Sequence, residues 1–158
     1  MNDNPSDVVI DRTVDARAET VWQMWTDAEH FARWYGPRGS SIPIAEFDLT
    51  IGGRRFIAME MQTPDGSMRM HFTGEHRVIE PVSRLTYTEA MATETGDRVP
   101  ADQLPPGHPE DTEVRVELRP DGDKTHMTLT HAGVPADSPG ATGWTMALDK
   151  LEALVERV

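Results

Sequence analysis

The spacing of apolar residues changes period along this chain, and the changes divide it into elements. Val8 to Val14 reads as a β-rich opening strand. Val21, Trp22, Trp25 and Ala28 then follow helical spacing, which predicts a first helix over 16–25 with Asp15 or Thr20 as its cap. Asp27 caps a second short helix over 28–34. Gly36-Pro37 closes the pair. Residues 21–37 hold Trp22, Trp25, Phe31, Trp34 and Tyr35, five of the ten aromatic residues. So much aromatic surface on two short helices must cover something apolar, because aromatic side chains contribute most when buried.

From Ile42 the period becomes two. Ile42, Ile44 and Phe47 suggest a strand ending near Ile51, and Gly52-Gly53 marks a turn. Arg55, Ile57, Met59 and Met61 share one face of the next strand. Pro64-Asp65-Gly66 is a tight hairpin turn. Met68, Met70, Phe72, Gly74, His76 and Val78 alternate along a long strand, with Gly74 the expected bulge or bend. After a turn at 80–83, Leu85, Tyr87, Glu89 and Met91 share a face. Residues 93–111 are polar and proline-rich and read as an irregular loop. Val114, Val116 and Leu118 alternate with charged residues, Pro120-Asp121-Gly122 turns the chain, and Met127, Leu129 and His131 form one face of the last strand. Helical spacing returns over 141–157, with Trp144, Ala147, Leu148, Leu151, Leu154 and Val155 in one stripe. Lys150 and Arg157 sit where basic charge suits the dipole of that helix.

The order is a strand, two helices, five or six strands and a helix. Without βαβ alternation a parallel sheet is not expected. The expected class is α+β: a curved antiparallel meander gripping a long C-terminal helix, with two short helices after the first strand. Residues 1–7, polar and acidic, read as a disordered leader, and 8–158 as a single domain.

Charge and composition narrow the function. Fifteen Lys and Arg against 27 Asp and Glu give a formal charge of −12. Such a surface repels phosphate backbones and anionic lipid, so neither nucleic acid nor membrane is an expected partner. No apolar run is long enough to span a bilayer, and the N-terminal residues do not resemble a secretory signal. Cysteine is absent, which excludes disulfides and thiolate chemistry. These features suit the cytoplasm. A homodimer is compatible with them.

Four motifs, in order, carry a family resemblance over about residues 8–157. Trp34-Tyr35-Gly36-Pro37 resembles the Trp-Trp-Gly-Pro signature of bacterial homologues of the activator of heat-shock protein 90 ATPase. Gly52-Gly53-Arg54 is similar to that family's Gly-Gly-Arg. Gly74, Ile79, Pro81, Arg84 and Leu85 match its Gly-x-x-x-x-Ile-x-Pro-x-x-Arg-Leu region. Gly143-Trp144 with Leu148 and Leu151 resembles its terminal helix. The resemblance implies the helix-grip fold of the START-like (SRPBCC) superfamily, with a cavity for apolar ligands between sheet and helix. Members include ligand carriers, aromatase/cyclases, hydroxylase subunits and chaperone activators, so no reaction is fixed.

The candidate chemistry lies on the inward faces. Met59, Met61, Met68, Met70 and Met127 either line an adaptable apolar pocket or fill an ordinary core. Arg55 lies among apolar neighbours and needs an acidic partner or an anionic ligand. It holds a ligand oxygen, pairs with Glu89, or faces solvent through a slip of strand phase. His76 and His131 with Glu89 form an acid/base or metal cluster, or are hydrogen-bonded histidines at a cavity rim. No metal-binding spacing supports a metal, and His30, His71, His108 and His126 look exposed. No nucleophile elbow, phosphate loop or dinucleotide fingerprint occurs, and no cofactor is expected.

The leading expectation is a small hydrophobic or aromatic ligand, weakly acidic. Its wall comprises Trp25, Trp34, Tyr35, Met59, Met70, Phe72, Tyr87, Met127, Trp144 and Leu148, and its polar end faces Arg55, His76, Glu89 and His131. A cyclase/dehydratase-like enzyme with His76 or His131 and Glu89 as proton carriers is the alternative. A chaperone ATPase co-regulator ranks third, because that role is expected of members with a further N-terminal domain.

Overall fold

The computed structural model describes residues 7–104, 111–134, 136 and 138–156. Of the leader read over 1–7, residues 1–6 lie outside these, as do residues 105–110 of the polar loop (including His108) and Arg157; Asp7 is not leader but opens the first strand, paired with Ala132.

The elements follow the expected order: β1 (Asp7–Val14), α1 (Ala18–Thr26), α2 (Ala28–Phe31), β2 (Ser40–Phe47), β3 (Arg54–Thr63), β4 (Gly66–Glu80), β5 (Arg84–Ala92), β6 (Thr112–Asp121), β7 (Lys124–Ala132) and α3 (Pro139–Val155). A 3-10 turn at Ala101–Gln103 interrupts the polar loop. The strands form one antiparallel sheet in the order β1-β7-β6-β5-β4-β3-β2. Strands β2 to β7 are a meander. The first strand returns to pair with the last, with Val8 opposite His131 and Val14 opposite Thr125. The sheet curls into a half-barrel around α3, a helix grip.

The core is the set of inward faces read from the sequence. Ile57, Leu85, Tyr87, Val114, Val116, Leu118, Met127 and Leu129 are buried from the sheet, and Trp144, Ala147, Leu148, Leu151 and Val155 from α3. Arg12 of β1 reaches α3 through Asp149 at 2.8 Å and through Glu152. These part-buried ion pairs add direction to the apolar contact.

Several local expectations are corrected. Neither Asp15 nor Thr20 caps α1. Arg17 occupies the cap position without a side-chain bond, and the Asp15 amide instead donates to Glu156 near the end of α3. Asp27 does cap α2, accepting from the amides of Glu29 and His30, but α2 ends at Phe31 rather than Trp34. The strand from Ser40 ends at Phe47, not near Ile51. Its register shifts between Ser41 and Ile44, around Pro43. That shift lets Ile42 and Phe47, five residues apart, both pack on the core. The bulge of β4 falls between His76 and Val78, not at Gly74, so Val78 leaves the inner face. Gly74 answers a different need: a Cβ there would meet the Thr88 carbonyl oxygen at 1.8 Å. The turn after β6 is centred on Gly122 and Asp123, with Pro120 still paired to Thr125.

Lys150 does not serve the helix dipole. Its ammonium donates to the Pro37 carbonyl at 3.4 Å and ties α3 to the loop after α2. Burial, with Arg38 nearby, lowers its pKa.

Candidate functional site

The α1–α2 pair brings its aromatic rings to the end of α3. Trp25 lies edge-on to Trp34 at 4.7 Å and stacks on Trp144 at 6.0 Å. Phe31 stacks on Tyr35 at 4.5 Å. The Trp34 indole donates to the Met24 carbonyl at 2.9 Å, which fixes the loop after α2 back onto α1. Trp25, Trp34, Met127 and Leu148 are fully enclosed, and Met59 is buried beside Gly36, while Met70 and Phe72 are half-buried against the core. Gly36 has φ +90° and faces Met59, so a side chain there is opposed by both backbone and space.

Arg55 stands inward from β3 and is only 2% exposed. The solvent-facing alternative is thereby removed. Its guanidinium carbon lies 3.5 Å from the Tyr87 ring centroid, 4.1 Å from Phe47 and 5.3 Å from Phe31, a three-sided aromatic cage. Its Nη1 bonds His76 Nε2 at 3.3 Å. Since guanidinium only donates, Nε2 is the acceptor and the ring proton sits on Nδ1. Burial and then the Arg55 charge lower the His76 pKa, with the nearby Asp48 and Gly53 carbonyls opposing.

The Arg55–Glu89 pair is not formed. Glu89 accepts from the Tyr35 hydroxyl at 2.7 Å and has the His131 ring at 3.9 Å. Burial first, then the Glu89 charge, push the Tyr35 hydroxyl well above its usual pKa, so it remains a donor. Burial lowers the Arg55 pKa, while Tyr87, Glu89 and Tyr35 act in the opposite sense. Among the described residues, Arg55 Nη2, His76 Nδ1 and the Tyr87 hydroxyl, all buried, find no hydrogen-bond partner. Buried polar groups left without partners are costly, on the order of 1–3 kcal/mol each.

His131 is fully occupied. The Trp144 indole N–H donates to its Nδ1 at 2.8 Å. Its Nε2 then carries the proton and meets Thr112 Oγ1 at 2.7 Å, and Thr112 in turn donates to the Glu89 carbonyl at 3.0 Å. Protonating His131 would set N–H against the indole N–H. Burial lowers its pKa accordingly, with Glu89 and Asp7 opposing.

Both histidines therefore stay neutral in the fold below the pH at which an unfolded histidine protonates, about 6.5. The unfolded chain takes up more protons, so stability is complete above that pH and is lost as pH falls through the lowered pKa values. The expected result is a melting temperature that drops between pH 6.5 and 5. Each histidine that stays neutral adds up to about 1.4 kcal/mol per pH unit. Thermal melts followed by circular dichroism check this, and a flat profile over that range contradicts it.

Sequence reading missed Phe31 and Phe47 as walls around Arg55 and Thr112 as the link from His131 to β5. The opposite parity of Ile42 and Phe47 was the available signal for Phe47. Thr112 needed the Glu89–Thr112 register. The histidines taken as exposed lie outside the inner cluster: His30 beside Asp27, His71 stacked on Phe56, and His126 bonded to Asp121. An open groove of ≈ 430 Å³ runs along Glu46, Phe47, Asp48, Arg54, Phe56 and Thr95. Arg54 there already donates to the Gly96 carbonyl, so the groove lacks the unpartnered buried donors of the inner cluster. Among the described residues no group of three or more His, Cys, Asp or Glu is placed to hold a metal, and no helix is long and apolar enough to cross a membrane.

A curled sheet gripping one helix, with an aromatic helix pair at its end, is the START-like class of α+β protein. Residues 15–156 match the family described as activator of Hsp90 ATPase homolog 1-like protein, and the chain belongs to that family. Similar solved structures agree on the fold. A Chromobacterium violaceum protein superposes with a TM-score of 0.79 at 23% identity, covering 97% of this chain and 99% of its own. A Nitrosomonas europaea protein gives 0.78 at 21% identity, covering 98% and 97%. An Aeromonas hydrophila protein named as a member of the same family gives 0.69 at 25% identity, covering 96% and 92%. No curated protein matches the chain.

Proposed function

We propose that this protein binds a small apolar or aromatic molecule with an acidic group inside the helix grip, and that Arg55 holds the acid. The observation that carries the reading is the buried Arg55 guanidinium. Among the described residues no carboxylate pairs with it, and its Nη2 and the buried Tyr87 hydroxyl each lack a hydrogen-bond partner. A carboxylate, phenolate or enolate oxygen supplies what both donors lack, and charge-assisted bonds to it are stronger than neutral ones. Phe31, Phe47 and the Tyr87 ring then form apolar walls around the head group.

The enzyme alternative finds less support at His131, whose two nitrogens are both committed. The heat-shock protein named in the family description stands outside this reading, which rests on the interior.

The test is a titration with 1-naphthoate and its uncharged amide, followed by tryptophan emission. Trp25, Trp34 and Trp144 lie around the site and report occupancy. Naphthoate should saturate at one site and bind about tenfold or more tighter than the amide, the equivalent of one charge-assisted bond. Equal affinity for acid and amide overturns the assignment of Arg55.

A further inference from the structure

Four of the nine methionines fall within residues 59–70, as two Met-x-Met motifs, Met59-Glu60-Met61 and Met68-Arg69-Met70. A strand turns successive side chains to opposite faces, so each motif places both methionines on one face. The hairpin register sets Met59 opposite Met70 and Met61 opposite Met68. The residues between them, Glu60 and Arg69, pair at 2.9 Å on the other face. Thioethers thus occupy four adjoining positions of the β3–β4 hairpin. Opposite positions have Cβ atoms about 4.5–5.5 Å apart, and positions two apart on a strand are separated by about 7 Å. Methionine sulfur stands beyond Cγ on an unbranched side chain that adapts its shape, so neighbouring sulfurs can converge on one point. Exposure is graded across the four. Met68 is 47% exposed, Met61 and Met70 are half-buried, and Met59 is buried. Met59 faces Gly36, with its sulfur 3.4 Å from where a Cβ would stand.

We propose that Met61, Met68 and Met70 form a site for a soft monovalent cation such as copper(I). The ion arrives from solvent at Met68, and Met59 closes the inner side. Thioether sulfur is a soft donor and selects copper(I) over the harder divalent ions, which take imidazole, carboxylate or thiolate. The chain has no cysteine, so its methionines are the softest donors it holds. A formal charge of −12 draws cations toward the surface. Leucine would fill the same positions if packing were their whole purpose, and it would not carry an oxidisable sulfur to the surface at Met68. The site lies toward the hairpin end of β3 and makes no use of Arg55 near its start, so it stands apart from the acid-binding reading.

Silver(I), a redox-stable ion of the same charge and softness, is the probe. It is titrated into the full chain with the methionine methyl groups carbon-13 labelled, and the methyl signals are followed by NMR. One equivalent should shift the signals of Met61, Met68 and Met70 and leave those of Met24 and Met127, buried elsewhere, in place. A thioether has no proton to lose, so the affinity should be equal at about pH 6 and about pH 7.5, whereas an imidazole site weakens as it protonates. Copper(I), supplied anaerobically from a competing chelator, should move the same three signals, and zinc(II) should not. Met61→Leu combined with Met68→Leu keeps the apolar volume and should bind silver about tenfold or more weakly. Three unmoved signals, an affinity that falls with histidine protonation, an equal response to zinc, or a folded double variant that binds silver as tightly each overturn the site. Should the double variant fail to fold, the methyl shifts and the pH comparison on the unaltered chain decide.

Discussion

Arg55→Met is expected to lower naphthoate affinity about tenfold to a hundredfold and to leave the fold nearly as stable as before. The two halves of the result have different causes. Affinity falls because charge-assisted hydrogen bonds contribute about 1.5–3 kcal/mol each, and methionine offers no donor. Stability holds because removing a buried cation also removes its desolvation cost. Replacing buried charges by apolar side chains of similar size is often neutral or favourable. The lost cation–π contacts with Tyr87, Phe47 and Phe31, worth about 0.5–2 kcal/mol in total by this argument, offset that gain. A net change within about 1 kcal/mol is therefore expected. Urea unfolding and the naphthoate titration on the same preparation measure both quantities. Strong destabilisation with unaltered affinity would make Arg55 a structural residue. Tyr87→Phe keeps the ring over the guanidinium and removes only the second donor, so it should weaken naphthoate with little change in stability.

The second large effect lies on the opposite side of the site. Trp34→Ala is expected to cost about 3–5 kcal/mol of folding stability. Trp34 is fully buried, lies edge-on to Trp25 at 4.7 Å and to Phe31 at 5.1 Å, and donates to the Met24 carbonyl. Alanine leaves a cavity at the junction of α1, α2 and the loop to β2, and it leaves that carbonyl without its indole donor. A domain of this size has about 5–15 kcal/mol in all, so the variant should unfold at much lower urea. A loss under about 1 kcal/mol would show that the helix pair is loosely attached rather than part of the core. Trp34→Phe keeps most of the apolar volume and should recover a good part of the loss.

What could be read from the sequence was what depends on period. Val114, Val116 and Leu118 alternate with charges and are buried as expected. The inward phase of Arg55, Ile57 and Met59 was legible for the same reason, and so was the stripe of α3. What could not be read depends on register and distance. Glu89 and Arg55 share the interior, yet Glu89 meets Tyr35, because the loop after α2 brings that hydroxyl to β5. The cap of α1 was misplaced because the Asp15 amide bonds Glu156, 141 residues away. The β4 bulge was assigned to Gly74, where the absent side chain instead admits the Thr88 carbonyl. Gly74 in the sequence could not show which group approaches it. The family motifs located the loop of Trp34-Tyr35-Gly36-Pro37. Its attachments, Trp34 to α1, Tyr35 to Glu89 and Pro37 to Lys150, needed coordinates.

Those attachments change the meaning of the aromatic helix pair. It joins α1, β5 and α3, with Phe31 forming one wall of the Arg55 cage. A crystal structure grown with 1-naphthoate tests the role of Arg55 most directly. A carboxylate oxygen is expected about 2.7–2.9 Å from Arg55 Nη2, within reach of the Tyr87 hydroxyl, with the ring system inside the grip. Naphthoate on the outer surface, with Arg55 Nη2 still unpartnered, would contradict it.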